Sequence, residues 1–174
     1  MCGIVGYIGS QLAPEIILSG LQRLEYRGYD SAGMAILTGD KIERRRSEGK
    51  LVNLCNILTK DPIHGHTGVG HTRWATHGRP TEFNAHPHVD TSGSLAVVHN
   101  GIIENYMSLK DELSDQGHKF VSQTDTEVLA HLMAAELDAG DSSDPAAALR
   151  RTLKRVDGAY AVGVVHKDFP DMML

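Results

Sequence analysis

Residue 2 of this chain is a cysteine. Removal of Met1 would leave Cys2 carrying both a thiol and a free α-amine, whose ordinary pKa of about 7.7–8.0 suits proton transfer near neutrality. One residue would then supply nucleophile and base, as a threonine with its own terminal amine does, and a thiolate needs less activation than an alkoxide. A second-position cysteine can arise by chance on a loose terminus, but here the terminus runs straight into a short apolar segment. Further along, His71-Thr72-Arg73-Trp74-Ala75-Thr76-His77-Gly78 puts an arginine and the only tryptophan at a strand end entering a long loop. The planar fork of Arg73 can hold a carboxylate through two parallel hydrogen bonds, or simply form a surface ion pair. Trp74 alone reads as core packing, the commoner fate of a lone tryptophan.

His99-Asn100-Gly101 follows another apolar run. As a hairpin signal Asn-Gly needs a strand next, whereas a helical pattern begins near Glu104, so the Asn100 amide and the Gly101 N–H are candidates to stabilise an oxyanion. Asp125 falls in the first turn of an expected helix, where the macrodipole favours a carboxylate without any ligand. Ten histidines, among them His64, His66, His71, His77, His86 and His88, raise a metal site. Their His-x-His pairs beside glycine and proline lack a helical ligand spacing.

These groups need elements to position them. Gly3–Ile8 reads as a buried strand, and Ile17, Leu21 and Leu24 as the stripe of a helix from Pro14 to Tyr26, ending near Arg27-Gly28. Ala32–Thr38 and Lys41–Ser47, separated by Gly39-Asp40, predict a hairpin with Arg44-Arg45-Arg46 as its solvated part. A short helix over Leu51–Leu58 and an extended segment over Gly68–Trp74 follow. Gly78, Pro80, Asn84, Pro87 and Gly93 make 75–93 a long loop, and such loops are often functional. Leu95–His99 predicts a strand, and Tyr106, Leu109 and Leu113 a helix stopped by Gly117. Thr124 with Glu127 forms a capping-box pattern opening a helix striped by Leu129, Leu132, Met133 and Leu137. Ala146–Val156 predicts a last helix and Ala159–His166 a last strand, and the apolar end at Met172-Met173-Leu174 suggests a chain cut inside a domain.

Composition narrows the function classes. With 174 residues the chain suffices for one domain with a sizeable core. Its 17 Lys and Arg against 22 Asp and Glu give a net charge of −5, the wrong sign for phosphate backbones, so nucleic acid is not expected as a partner. No apolar run approaches the roughly 20 residues of a membrane-spanning helix, so no membrane partner is expected. Two cysteines without a Cys-x-x-Cys pair suggest a cytoplasmic protein, with Cys55 an inert, buried, structural thiol.

Several long motifs occur in order along the chain: Cys2-Gly3-Ile4-Val5-Gly6, Leu24 to Gly33, His71 to Gly78, Asn84-Ala85-His86-Pro87-His88, His99 to Asn105, and Thr124-Asp125-Thr126-Glu127. Together they resemble the glutaminase domain of the glucosamine-6-phosphate synthases, within the class II glutamine amidotransferases. Other members of the class share the starting cysteine but not the Arg-Trp-Ala-Thr-His-Gly segment. The resemblance implies an α+β fold, the N-terminal-nucleophile hydrolase four-layer αββα sandwich of antiparallel sheets, with the nucleophile at the start of a central strand. Residues 1–174 would form one such domain, cut short at the C-terminal end and lacking the sugar isomerase domains.

By the same resemblance Cys2 attacks the side-chain amide of L-glutamine and forms a glutamyl thioester, with Asn100 and Gly101 stabilising the oxyanion. Arg73 holds the substrate α-carboxylate and Asp125 its α-ammonium. Thr76 and His77 belong to a covering loop, Arg27 lies near the site, and Trp74 gates the passage of ammonia toward conversion of fructose 6-phosphate to glucosamine 6-phosphate. No metal or organic cofactor is implied, and the whole enzyme is expected to be a homodimer. Two other readings stay open on the residues alone: an inactive glutamine-binding domain, if the chain is truncated or Met1 is retained, and a histidine-based metal protein.

Overall fold

The computed structural model describes residues 2–139 and 144–174; whether Met1 is retained lies outside the described residues. In chain order the elements are β1 (Gly3–Ile8), α1 (Ala13–Leu24), a turn of 3-10 helix (Glu25–Arg27), β2 (Ser31–Thr38), β3 (Lys41–Glu48), α2 (Leu51–Lys60), β4 (Thr67–Arg73), β5 (His88–Val89), β6 (Leu95–Ile103), α3 (Tyr106–Asp115), α4 (Glu127–Ala139), α5 (Pro145–Leu153) and β7 (Gly158–His166). Two antiparallel sheets result, one ordered β1-β4-β2-β3 and the other β5-β6-β7.

The two-residue period of the strands decides the layering. From β2, Ala32, Met34 and Ile36 meet Ile17 and Leu21 of α1 and Leu51 and Leu54 of α2. The alternate residues Ala35 and Leu37, with Val69 of β4, meet Ala96, Val98 and Val165 of the second sheet. On the far side Leu95, Val97 and Ile103 of β6 pack under Leu109, Leu113, Val128, Leu132 and Met133 of α3 and α4. The order of layers is therefore helices, sheet, sheet, helices. Ile17 and Leu21 are fully buried, and such side chains contribute about 1.5–3 kcal/mol each. Helix α1 lies flush on β4 because residue 70 is glycine: a Cβ there would stand 2.2 Å from Ile17 Cγ2.

Several expectations are corrected. The segment Leu95–His99 does not stop at Asn100-Gly101; β6 runs on to Ile103, paired along its length with β7 (Asn100 opposite Ala161, Gly101 opposite Tyr160). Gly101 adopts φ +130°, and a Cβ there would meet Ala159 O at 2.2 Å. The loop over 75–93 contains the short strand β5, where His88 and Val89 pair with Val97 and Ala96. Arginines 44–46 are not a solvated face. Arg46 is buried and donates from Nη1 to Phe83 O at 3.0 Å and Ala85 O at 2.9 Å, while Arg44 Nη1 reaches Pro87 O at 3.1 Å. They fasten the 83–87 segment against the hairpin, supplying donors to carbonyls that burial would otherwise strand.

The expected capping box also differs. Helix α4 starts at Glu127, whose carboxylate accepts from Val121 N–H at 2.9 Å and Ser122 N–H at 2.7 Å rather than from Thr124. Burial alone would raise this carboxyl, but the His131 ring 3.7 Å away and the bonds from Val121 and Ser122 outweigh it and hold it at about 2. Asp125 lies in the turn before the helix, not in its first turn. The strand β1 stands at the edge of its sheet among the described residues, not at the centre. The apolar last residues pack on β7: Leu174 and Val164 exchange backbone hydrogen bonds of 3.0 and 2.7 Å. No described helix is long and apolar enough to cross a membrane.

Candidate active site

The end of the sandwich that carries Cys2 is built by continuing the strand alternation past the core. On β4 the residues after Val69 on the inter-sheet face are His71 and Arg73, both buried. On β6 Ala96 and Val98 share that face, so Asn100 follows on it, while His99 turns toward α4 and sets Nδ1 2.7 Å from Thr126 Oγ1. Gly3 pairs with Thr72, which brings Cys2 beside Arg73. The Cys2 Sγ accepts the Trp74 N–H at 3.2 Å and lies 3.6 Å from Trp74 O.

A cavity of about 270 Å³ opens there. Of the residues expected at the site, Cys2, Arg73, Trp74, Thr76, Gly101 and Asp125 line it, together with His86, His99, Ile102 and Thr126, to which no role was assigned. Arg73 is only 4% exposed. Its Nη2 donates to His77 O and, at 3.5 Å, to Gly78 O, whereas Nη1 is buried with no partner among the described residues. Burial lowers its pKa, opposed by Asp30, Cys2 and Asp125. Asp125 is also buried; Oδ2 accepts the Ile103 N–H at 2.9 Å, which ties it to the end of β6. One cavity thus carries a thiol, a buried cation with spare donor capacity and a buried carboxylate, a set complementary to the two charges of an amino acid.

Trp74 is not core: it is 54% exposed at the mouth, with its ring over Gly28, where a Cβ would stand 3.1 Å away. Three expected residues are off the cavity wall. His77 contributes its carbonyl to Arg73 and sets its ring edge-on to Tyr106 at 5.3 Å between centroids. Arg27 sits half-buried in the 3-10 turn. Asn100 places Oδ1 2.6 Å from His71 Nε2. Cys55 is half-buried against the α1–α2 core rather than fully buried.

The histidines form a buried stack. His71 and His86 lie 4.3 Å apart between ring centroids, and His88 meets His86 edge-on at 4.9 Å. Burial, more than any neighbouring charge, pushes the His71 pKa down to about 3 and those of His86 and His88 well below the ordinary value. Among the described residues no group of three or more His, Cys, Asp or Glu side chains is placed to hold a metal ion. Asp30 is a further residue that sequence reasoning passed over. Its N–H donates to Arg73 O at 2.8 Å and its Oδ2 accepts from Ala75 N–H at 2.6 Å, fixing the start of the loop beyond Arg73. Its only signal was its place in the Leu24–Gly33 motif.

Two face-to-face antiparallel sheets with helices outside, and the second residue of the chain feeding a reactive-looking cavity, place the fold among the N-terminal-nucleophile hydrolases. A structure titled as the allosteric regulatory enzyme of purine biosynthesis superposes with a TM-score of 0.80 at 29% identity, covering 96% of this chain and 36% of that one. Glutamine phosphoribosylpyrophosphate amidotransferase from B. subtilis gives 0.78, also at 29% identity, over 96% of this chain and 35% of its own. Residues 71–174 match the model of the glutamine amidotransferase domain, and the chain belongs to that family. Among curated proteins, the glutamine–fructose-6-phosphate aminotransferase (isomerizing) of Zymomonas mobilis is 53% identical over 174 residues, all of this chain and 28% of that protein. The Streptomyces coelicolor protein of the same name is also 53% identical, again over 28% of its length. The chain therefore spans a little over a quarter of the length of these relatives.

Proposed function

We propose that this domain hydrolyses L-glutamine through Cys2, and the observation that carries the reading is the shared cavity wall of Cys2, Arg73 and Asp125. Arg73 Nη1 takes the substrate α-carboxylate and Asp125 the α-ammonium, which points the side-chain amide at the thiol. The α-amine of Cys2, free once Met1 is removed, takes the thiol proton as Sγ adds to the amide carbon. The Gly101 N–H and the Asn100 side-chain amide stabilise the resulting oxyanion. The amine then gives its proton to the leaving nitrogen, the C–N bond breaks, and ammonia departs from a glutamyl thioester. Water adds to the thioester carbon, the C–S bond breaks, and glutamate leaves with the thiol restored.

Thr76 and the His77 segment close over the bound amino acid, Arg27 supports that side of the site, and Trp74 at the mouth gates the exit of ammonia. The names of the relatives support fructose 6-phosphate as the acceptor of that ammonia, in a whole protein that acts as a cytoplasmic homodimer. Two unpaired cysteines agree with a reducing compartment. The test is the intact mass after exposure to an electrophilic glutamine analogue, paired with glutamate release by the parent and Cys2→Ala proteins. A single adduct mapped to Cys2, loss of the Met1 mass, and turnover absent only from Cys2→Ala are expected. Glutamine binding without glutamate release would instead define a binding domain.

A further inference from the structure

Position 71 follows Val69 on the inter-sheet face of β4, where the core pattern calls for an apolar side chain, yet it holds a histidine that is 1% exposed. Burial lowers the pKa of that ring to about 3, reinforced by the charges of His99 and Arg73 and opposed by the Asn100 bond and by the His99 backbone. A neutral imidazole has one N–H. His71 Nε2 lies 2.6 Å from Asn100 Oδ1, and an amide oxygen only accepts, so the proton is on Nε2. The bare Nδ1 is then the buried atom without a partner among the described residues, a smaller cost than an orphaned N–H.

In this arrangement Oδ1 of the amide faces His71, and Nδ2, its only donor, is left for another acceptor. The His71 ring cannot rotate freely, because His86 stacks on it at 4.3 Å. The segment carrying His86 is held in turn by the Arg46 bonds to the carbonyls of Phe83 and Ala85.

We propose that His71 is a positioning residue for glutamine hydrolysis: its Nε2–H locks Asn100 so that Nδ2 donates to the oxyanion formed at Cys2. The inference rests on the oxyanion role given to Asn100 above. Its test is steady-state glutamate release by the whole chain. His71→Phe keeps a planar ring without the donor; kcat should fall by about 10- to 100-fold, part of the effect of losing an oxyanion donor outright, with KM within about 3-fold. His71→Gln, which can offer an N–H at the same reach, should recover most of kcat. In an Asn100→Ala background His71→Phe should cost less than about 2-fold, because the group it acts through is gone. Long-range imidazole nitrogen spectra of the parent should show Nε2 protonated and Nδ1 bare.

Equal losses in both backgrounds, a change confined to KM, or an Nδ1–H tautomer would overturn the role. A parent chain that releases no glutamate removes the glutamine-hydrolysis reading and this role together. Turnover that is indifferent to His71→Phe removes this role alone.

Discussion

Two buried aspartates line two different cavities and are used in opposite ways. Asp90 is 5% exposed and Asp125 is 4% exposed, so burial does not separate them. Asp90 is consumed by its own loop: Oδ2 accepts from the Ser92 N–H at 3.0 Å, the Ser94 hydroxyl at 3.2 Å and the Ser92 hydroxyl, while Oδ1 accepts from the Leu95 N–H at 2.9 Å. Among the described residues the Asp125 carboxylate accepts one hydrogen bond, from the Ile103 N–H, and shares its cavity with Arg73, whose Nη1 has no partner there. A carboxylate saturated by the turn it closes is a structural element. One left with spare capacity in the same cavity as a cation nitrogen unpaired among the described residues suits the ligand-binding role proposed above, since unpaired buried charge is costly.

The sharpest way to break this contrast is Asp125→Asn. The amide oxygen can still take the Ile103 N–H, so thermal stability should hold, but the substrate ammonium loses its counter-charge inside a buried site. Glutaminase kcat/KM should drop by roughly 10³-fold, on the scale of about 4 kcal/mol for truncating one member of a buried charge pair. A drop below about 5-fold would put Asp125 in the same structural class as Asp90.

Acid should separate the two regions next. His71, His86 and His88 lie under the Asp125 cavity with folded pKa values pushed below the ordinary 6.5, mainly by burial. The unfolded chain therefore takes up their protons first, and stability is lost as pH falls from about 6.5 toward the folded values. For His71, with its folded value at about 3, that loss is about 2 kcal/mol between pH 7 and 5. Asp90 is also lowered, but as a carboxylate: burial would raise it, and the bonds from Ser92, Leu95 and Ser94 hold it below 3.8. Its contribution stays intact until pH falls below that value. Hydrogen exchange followed from pH 7 to 5 should show β4 and the 86–88 segment losing more protection than the loop over 90–95, beside which His118 and His166 are also lowered by burial. Equal loss in both would erase the distinction.

Arg46→Ala tests the support beneath the cavity. The buried Ala85 carbonyl and the half-buried Phe83 carbonyl lose their donor, and about 2 kcal/mol of stability should go with it, read by denaturant unfolding at neutral pH. A change within about 0.5 kcal/mol would return Arg46 to the solvated face that its run of arginines suggested.

That arginine run shows where sequence reading stopped. Period and punctuation carried β1, the hairpin of β2 and β3, and the stop of α3 at Gly117, because each is decided by residues within a few positions of itself. The His118 N–H closing on Leu113 O at 3.0 Å is such a local cap. Arg46, by contrast, is buried by a segment nearly forty positions away, and the extension of β6 through Asn100-Gly101 depends on β7, some sixty residues further on. The site divides the same way. Cys2, Arg73, Gly101 and Asp125 were reachable because ordered motifs resemble a known family, and the structure sets all of them on one cavity. His86, His99 and Thr126 were quoted within those motifs without a role, since only the meeting of the two sheets makes them a wall. His99 alone had a usable signal, continuing the Leu95 and Val97 face of its strand.

The smallest effect expected is the one that completes the contrast, Asp90→Asn. The new side chain keeps an oxygen for the Leu95 N–H but turns an amide donor toward the Ser92 N–H. The Ser92 and Ser94 hydroxyls can rotate to accept that donor, whereas the Ser92 backbone N–H cannot. One donor facing another in this half-buried turn should cost about 1 kcal/mol, seen as a lower denaturation midpoint with an unchanged slope. Glutaminase kcat and KM should both stay within about 2-fold, because the cavity lined by Asp90 and the Cys2 cavity share no lining residue. If Asp90→Asn instead raised KM with stability intact, the count of satisfied bonds would no longer distinguish a structural carboxylate from a recognising one in this protein.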